Sequence, residues 1–400
     1  MTRCGMEQSG TTQTTATGFT VRCEREGLLM ALQAAHAVVP TNSPKPILTN
    51  MQLRAYGDGL EVNATDQQVG LRVVLRRLQV LASGSVVIPV RQLVGILKES
   101  ASPDVLLEVG AQHGPDQVAI RLIDGEYVIP QVVGETFPAI SQFPQIGECI
   151  TVPGPELEIM IRKTLFAVDK DRTSAVLGGV YFEVGEGELI MAGTDGKILC
   201  EATRRGEEFN IPIKVIIPAG TINHLARILA SGVPGEVEIA IESKLVFLRV
   251  VVAASDAPNA PAVQVELTSR LVEGSYPAYR NALPKEPQYR VEFATADLRS
   301  AVRRTALMTS NSSRGIVAAL EAGQCMLRNM IATGGRAEIP VTCAYDGPPT
   351  KVGLNAGYLQ SILRVYEEDT VSLELNGLGR GMIMREHGMT YLIMPISLPT

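Results

Sequence analysis

The chain has 400 residues, 46% of them hydrophobic, enough apolar material for several cores. Its net charge of −6 argues against a generally basic nucleic-acid binder, and it holds no run of about 18 apolar residues that could span a membrane. Six cysteines (Cys4, Cys23, Cys149, Cys200, Cys325, Cys343) are scattered with no C-x-x-C pair, which fits reduced cytosolic thiols better than a disulfide framework.

Residues 1–18, rich in Thr, Ser, Gln and Gly and lacking an apolar h-region, read as a disordered tail and not a signal peptide. An amphipathic helix follows over 26–39, then strands and the landmark Ala64-Thr65-Asp66. Ile88-Pro89 leads from a strand into a second short helix, after which strands are predicted over 105–109 and 118–123. The same grammar then recurs. A helix is predicted over 155–168, strands over 180–184 and 188–192 joined by Gly185-Glu186-Gly187, then Gly193-Thr194-Asp195 and the strand-to-helix segment Ile217-Pro218. An insertion is expected at 254–261. A third copy has a helix over 295–308, with Thr295 or Asp297 as its cap, and Leu354-Asn355 opening the last helix.

Spacing ties the copies together. Asp66 and Asp195 are 129 positions apart, as are Pro89 and Pro218, and Pro218 and Asn355 are 137 apart. Counted from Pro89, Pro218 and Asn355, apolar residues stand at plus four and plus seven: Leu93 and Ile96, Ile222 and Leu225, Leu359 and Ile362. Periods this long are whole domains, not solenoid repeats. Two helices and many strands per copy imply three homologous α+β domains, 19–148, 149–268 and 269–400, with helices packed on antiparallel sheets.

Catalytic signatures fail on context. Thr194-Asp195-Gly196 has the wrong order for a paired-aspartate protease, and an Asp before Gly between strands is a turn residue. Gly377-Leu378-Gly379-Arg380-Gly381 lies between strands and opens no helix, so it reads as a hairpin and not a dinucleotide loop. His36, His113, His224 and His387 are far apart and lack metal-ligand spacing. Neither a cofactor nor a metal is expected.

From Phe19 to Leu398 the chain resembles the bacterial DNA sliding clamp, the beta subunit of DNA polymerase III. The resemblance rests on Pro46-Ile47-Leu48-Thr49-Asn50, Ala64-Thr65-Asp66, Leu177-Gly178-Gly179-Val180, Thr194-Asp195-Gly196, Tyr276-Pro277-Ala278-Tyr279-Arg280 with Leu283-Pro284, Ser310-Asn311, Asn355-Ala356-Gly357-Tyr358-Leu359 and Ile393-Met394-Pro395-Ile396, in order over the chain. It implies a non-catalytic homodimer, two protomers head to tail in a ring around duplex DNA, acting in the cytoplasm. Weak, sequence-independent attraction to phosphates suffices for a ring. Arg91, Lys98, Arg162, Lys163, Lys170, Arg172, Arg227, Arg299, Arg303, Arg304 and Arg364 are the expected DNA-facing cations.

The resemblance further implies a hydrophobic cleft for short motifs of the replicative polymerase, clamp loader and repair proteins. Its residues would be Leu177, Thr194, Gly196, Lys197, Leu199, Pro277, Asn281, Ser313, Asn355, Tyr358, Ile393, Met394, Pro395 and Ile396. Lys197, Asn281, Ser313 and Ser397 depart from the family's common residues. At the ring interface Tyr127 and Ile129 should meet Leu307 and Met308 of the other protomer. The alternative is a diverged clamp-like interaction scaffold that does not encircle DNA.

Overall fold

The computed structural model describes all residues except 1–17, 77, 111–113, 146, 172, 255–261, 285, 310–313, 331–334, 378 and 399–400. The expected tail, most of the insertion, His113, Arg172, Leu378 and Ser310 to Ser313 therefore lie outside the described residues. The chain divides into two compact units. One takes in the residues up to Pro144 with Ser231–Gly235 and Leu248–Thr268; the other takes in Gln145–Ala230, Glu236–Phe247 and Ser269–Thr400.

In the first unit, helix α1 (Arg25–His36) buries Leu28, Ala31, Leu32 and Ala35, and α2 (Val90–Glu99) buries Leu93 and Leu97. Helix α1 ends earlier than the predicted 39, because Pro40 disfavours helical backbone in the residue before it. A five-stranded antiparallel sheet runs in the order Gln79–Ala82, Phe19–Glu24, Asp104–Val109, Gln117–Leu122, Gly125–Pro130. Another sheet places Ala262–Arg270 beside Val69–Leu75, Gly59–Thr65, Met51–Tyr56 and Gly84–Ile88. Arg72 joins three of these strands by pairing with Glu61 and, at 2.9 Å, with Glu266. The Arg25 guanidinium donates to the carbonyls of Leu97 (2.9 Å) and Ser102 (2.7 Å), tying the start of α1 to the end of α2.

The second unit holds α3 (Gly154–Thr164), α4 (Ala219–Leu229), α5 (Thr295–Ala306) and α6 (Ala356–Val365). Its eight-stranded sheet runs Ile213–Pro218, Gly179–Gly185, Glu188–Thr194, Ile198–Arg205, Met389–Ile393, Met382–Glu386, Thr370–Leu375, Tyr289–Ala294. The second and third repeats thus share one sheet, sealed where Ile198 pairs with Ile393 and Leu199 with Leu392. A four-stranded sheet of Glu338–Thr342, Gln324–Asn329, Gly315–Glu321 and Thr350–Asn355 completes the third repeat.

Local chemistry sets the element ends. Glu186 (φ 54) and Gly187 (φ 76) form the two-residue loop between strands paired at Gly185 and Glu188, the double positive φ that glycine favours in tight hairpins. Pro89, Pro218 and Asn355 stand at the N-caps of α2, α4 and α6, as their shared spacing predicts. Of these three, Asn355 caps with its side chain, accepting from the N–H of Gly357 (2.8 Å) and Tyr358 (3.3 Å). Neither Thr295 nor Asp297 caps α5: Ala294 holds the N-cap, and the Thr295 hydroxyl donates to the Glu368 carbonyl instead.

Candidate functional site

The site grows from the turn after Glu188–Thr194. Thr194 Oγ1 donates to the Ile198 carbonyl (2.6 Å) and accepts from Gly196 N (3.0 Å), while Asp195 Oδ1 accepts from Lys197 N and Ile198 N at 2.8 and 2.9 Å. The first repeat builds the same turn with Thr65 and Asp66. These aspartates are turn formers. Asp195 has a second task that its counterpart lacks in the sequence pattern: Oδ2 accepts the Tyr358 hydroxyl at 2.7 Å, from 163 positions away. Burial, followed by the Asp195 carboxylate, pushes the Tyr358 phenol well above its ordinary pKa.

Beyond Ile393 the chain leaves the eight-stranded sheet as a strap. Met394 N donates to the Lys197 carbonyl and Ile396 N to the Gly353 carbonyl, each at 2.8 Å. Met394 packs on a core of Ala192, Leu199, Tyr279, Ile383 and Leu392, with Tyr181, Tyr276 and Leu283 around it. Tyr181 and Tyr276 stack at 5.0 Å, and Tyr279 meets both edge-on at 6.1 Å. This aromatic group carries the exposed Pro277 and Asn281. Its charged flank is Arg280, 2.6 Å from Glu183.

Leu177 closes the other side, half-buried, its carbonyl accepting from Asp169 N at 2.9 Å. The Asp169 carboxylate accepts from the Thr173 hydroxyl and from the backbone N–H of Asp171, Thr173 and Ser174, bonds that hold it below the usual carboxylate range.

Burial sorts the expected cleft residues. Leu199, Ile393 and Thr194 are buried and support the surface from beneath. Leu177, Asn355, Tyr358, Met394, Pro395 and Ile396 are half-buried, while Gly196, Lys197, Pro277 and Asn281 are exposed. Sequence reasoning missed Asp195 as a partner of Tyr358, and it missed Gly353 as the strap's acceptor. The tyrosines were visible only as letters of a motif.

Among the expected DNA-facing residues, Arg91, Lys98, Lys170, Arg227, Arg303, Arg304 and Arg364 are exposed. Lys163 is a correction. It is buried with its ammonium 2.8 Å from Glu386 and 3.0 Å from Glu367, so its charge is spent inside the fold. Arg162 is exposed but pairs with Glu367 at 2.8 Å, and Arg299 donates to the carbonyls of Leu363 and Tyr366 at the end of α6. At the expected interface Tyr127, Leu307 and Met308 are 43%, 79% and 45% exposed. Ile129 is a second correction: only 5% exposed, it faces the core of its own sheet. Among the described residues no group of three or more His, Cys, Asp or Glu could hold a metal ion.

Three domains described as the N-terminal, central and C-terminal domains of the DNA polymerase III beta subunit match residues 19–140, 151–278 and 280–397 in succession. The chain belongs to the DNA polymerase III beta subunit family. Among relatives of this family, the beta sliding clamp of Pseudomonas putida is 27% identical over 385 residues, 95% of this chain and 100% of that protein. That of Caulobacter vibrioides is 30% identical over 348 residues, 85% and 88% of the two chains. The crystal structure of the DNA polymerase III beta subunit from Pseudomonas aeruginosa aligns with a TM-score of 0.83 at 25% identity, covering 95% of this chain and 100% of that one. The C. crescentus beta sliding clamp aligns equally well, at 0.83 and 25%, covering 95% and 99%. The family's three-domain α+β architecture is therefore that of this chain.

Proposed function

We propose that this chain is a DNA polymerase processivity factor: a sliding clamp that encircles duplex DNA as a head-to-tail dimer and tethers its partners by short peptide motifs. The observation that carries the reading is the succession of three beta-subunit domains over nearly the whole chain, with an apolar recess between the second and third repeats. A scaffold that does not encircle DNA is not favoured, since all three domains are retained. The role is non-catalytic and needs no cofactor; the partners are DNA, the replicative polymerase, the clamp loader and repair proteins, which places its action at the chromosome.

In this reading the domains run 19–148, 149–268 and 269–400. Leu177, Tyr358, Met394, Pro395 and Ile396 form the apolar surface of the recess, over Leu199 and Ile393. Lys197, Pro277 and Asn281 form its rim, with Ser313 a further candidate. A partner's Leu or Phe side chain buried there contributes about 1.5–3 kcal/mol, and one or two such anchors supply most of the affinity of a linear motif. The C. crescentus structure, solved with polyethylene glycol at its region for beta-motif tethering, lends support by likeness.

Fluorescence polarisation with a labelled peptide ending in Leu and Phe tests the site. Met394→Glu places a charge where the anchor must lie and should abolish binding while the dimer persists. Binding by Met394→Glu as tight as the parent's would move the site elsewhere.

A further inference from the structure

The strap that walls the recess is anchored at two points. Met394 N donates to Lys197, in the second repeat, and Ile396 N to Gly353, in the third. Pro395 between them has no N–H, so no backbone hydrogen bond from that residue holds the strap. Gly353 lies on Thr350–Asn355, an edge strand of the four-stranded sheet, and Ile396 forms a single antiparallel bridge with it. A Cβ on Gly353 would stand 2.3 Å from the Ile396 carbonyl oxygen and 3.2 Å from its carbon. Those are backbone atoms and cannot rotate away. The other near neighbour, Met330 Cε at 3.0 Å, ends a flexible side chain and can yield.

The absence of a side chain at 353 is therefore what lets the strap close onto the sheet edge. We propose that Gly353 is a positioning residue for the peptide recess, fixing the place of Met394, Pro395 and Ile396 by admitting the Ile396 carbonyl. The inference rests on the reading of the recess as the peptide site. Any larger residue at 353 lifts the strap at its third-repeat anchor. The second anchor, at Lys197, is left to hold Met394 alone, and the apolar surface loses its fixed shape.

A cycle of two changes tests this: Gly353→Ala, and a chain stopped after Pro395, which removes the carbonyl that the new methyl would strike. The probe is the labelled peptide ending in Leu and Phe, read by fluorescence polarisation. Each change alone should weaken binding on the order of tenfold, the loss expected when the support of a binding constellation shifts by about 1 Å. In the shortened chain Gly353→Ala should add no further loss, because the clash is gone. A general disturbance of the strand would instead give losses that add, and would overturn the proposal. So would Gly353→Ala binding as tightly as the parent.

Should Gly353→Ala alone fail to fold, the shortened Gly353→Ala chain decides. It should fold and bind like the shortened parent, and its failure to do so refutes the role. If the parent chain itself does not bind the peptide, the recess is not the site and both readings fall.

Discussion

A lysine on a helix face is usually a solvated charge, and Lys163 shows how far one residue can depart from that rule. Its ammonium lies between Glu386 and Glu367, while Glu386 also accepts the Tyr391 hydroxyl and the Glu367 backbone N–H. Removing one partner of a buried pair leaves the other charge without compensation, at a cost of about 3–5 kcal/mol. Lys163→Met should thus lower stability by that order in urea unfolding, and Lys163→Met with Glu386→Gln should recover part of it. An unchanged midpoint for Lys163→Met would show that the pair does not hold the two repeats together. Helical spacing could not have separated Lys163 from its exposed neighbour Arg162, since their partners come from more than 200 positions away.

Five tyrosines add a titration. Burial, as the first cause in each, raises the phenols of Tyr276, Tyr279, Tyr358, Tyr366 and Tyr391 above their ordinary value of 10.0. A group whose folded pKa is raised keeps its proton in the native state while the unfolded chain releases it. The stability it lends is full below pH 10.0 and falls as pH rises beyond it. Tyrosinate absorbance should therefore appear together with loss of structure above that pH. Gradual ionisation with the fold intact would contradict the burial.

At the scale of elements, the strand-to-helix signal was legible because it repeats. Proline at 89 and 218 and asparagine at 355 each precede a helix, and the plus-four positions Leu93, Ile222 and Leu359 are all buried. The plus-seven position holds for Leu225 and Ile362. In α2, Ile96 is only half-buried and Leu97 takes the core place, a rotation of the apolar face that spacing alone does not resolve. The strap was legible only by resemblance. Two backbone hydrogen bonds and the close approach at Gly353 leave no periodic trace, and neither does the Tyr358–Asp195 bond. Such contacts are set by how sheets meet, which local pattern does not encode.

At the scale of the whole molecule, the proposed ring requires two surfaces to close on a second copy. Leu307 and Met308 are the exposed apolar pair after α5, and Tyr127 lies on Gly125–Pro130, an edge strand with Val128 also exposed. Edge strands and exposed apolar side chains invite a partner. Leu307→Glu with Met308→Glu would bury unpaired charge at that contact, at a cost of several kcal/mol. Sedimentation should then report a monomer of 42.9 kDa at micromolar concentration where the parent gives twice that mass. A double variant that stays dimeric would place the interface elsewhere.

The account's central claim is that DNA is held by topology, and retention on circular against linear duplex measures it directly. Loaded by a clamp loader onto nicked circular DNA, the protein should stay bound through a wash at moderate salt, because a closed ring does not depend on phosphate contacts that salt weakens. Cutting the circle once should release it, as the ring slides off the new ends. Equal retention before and after the cut would contradict the claim.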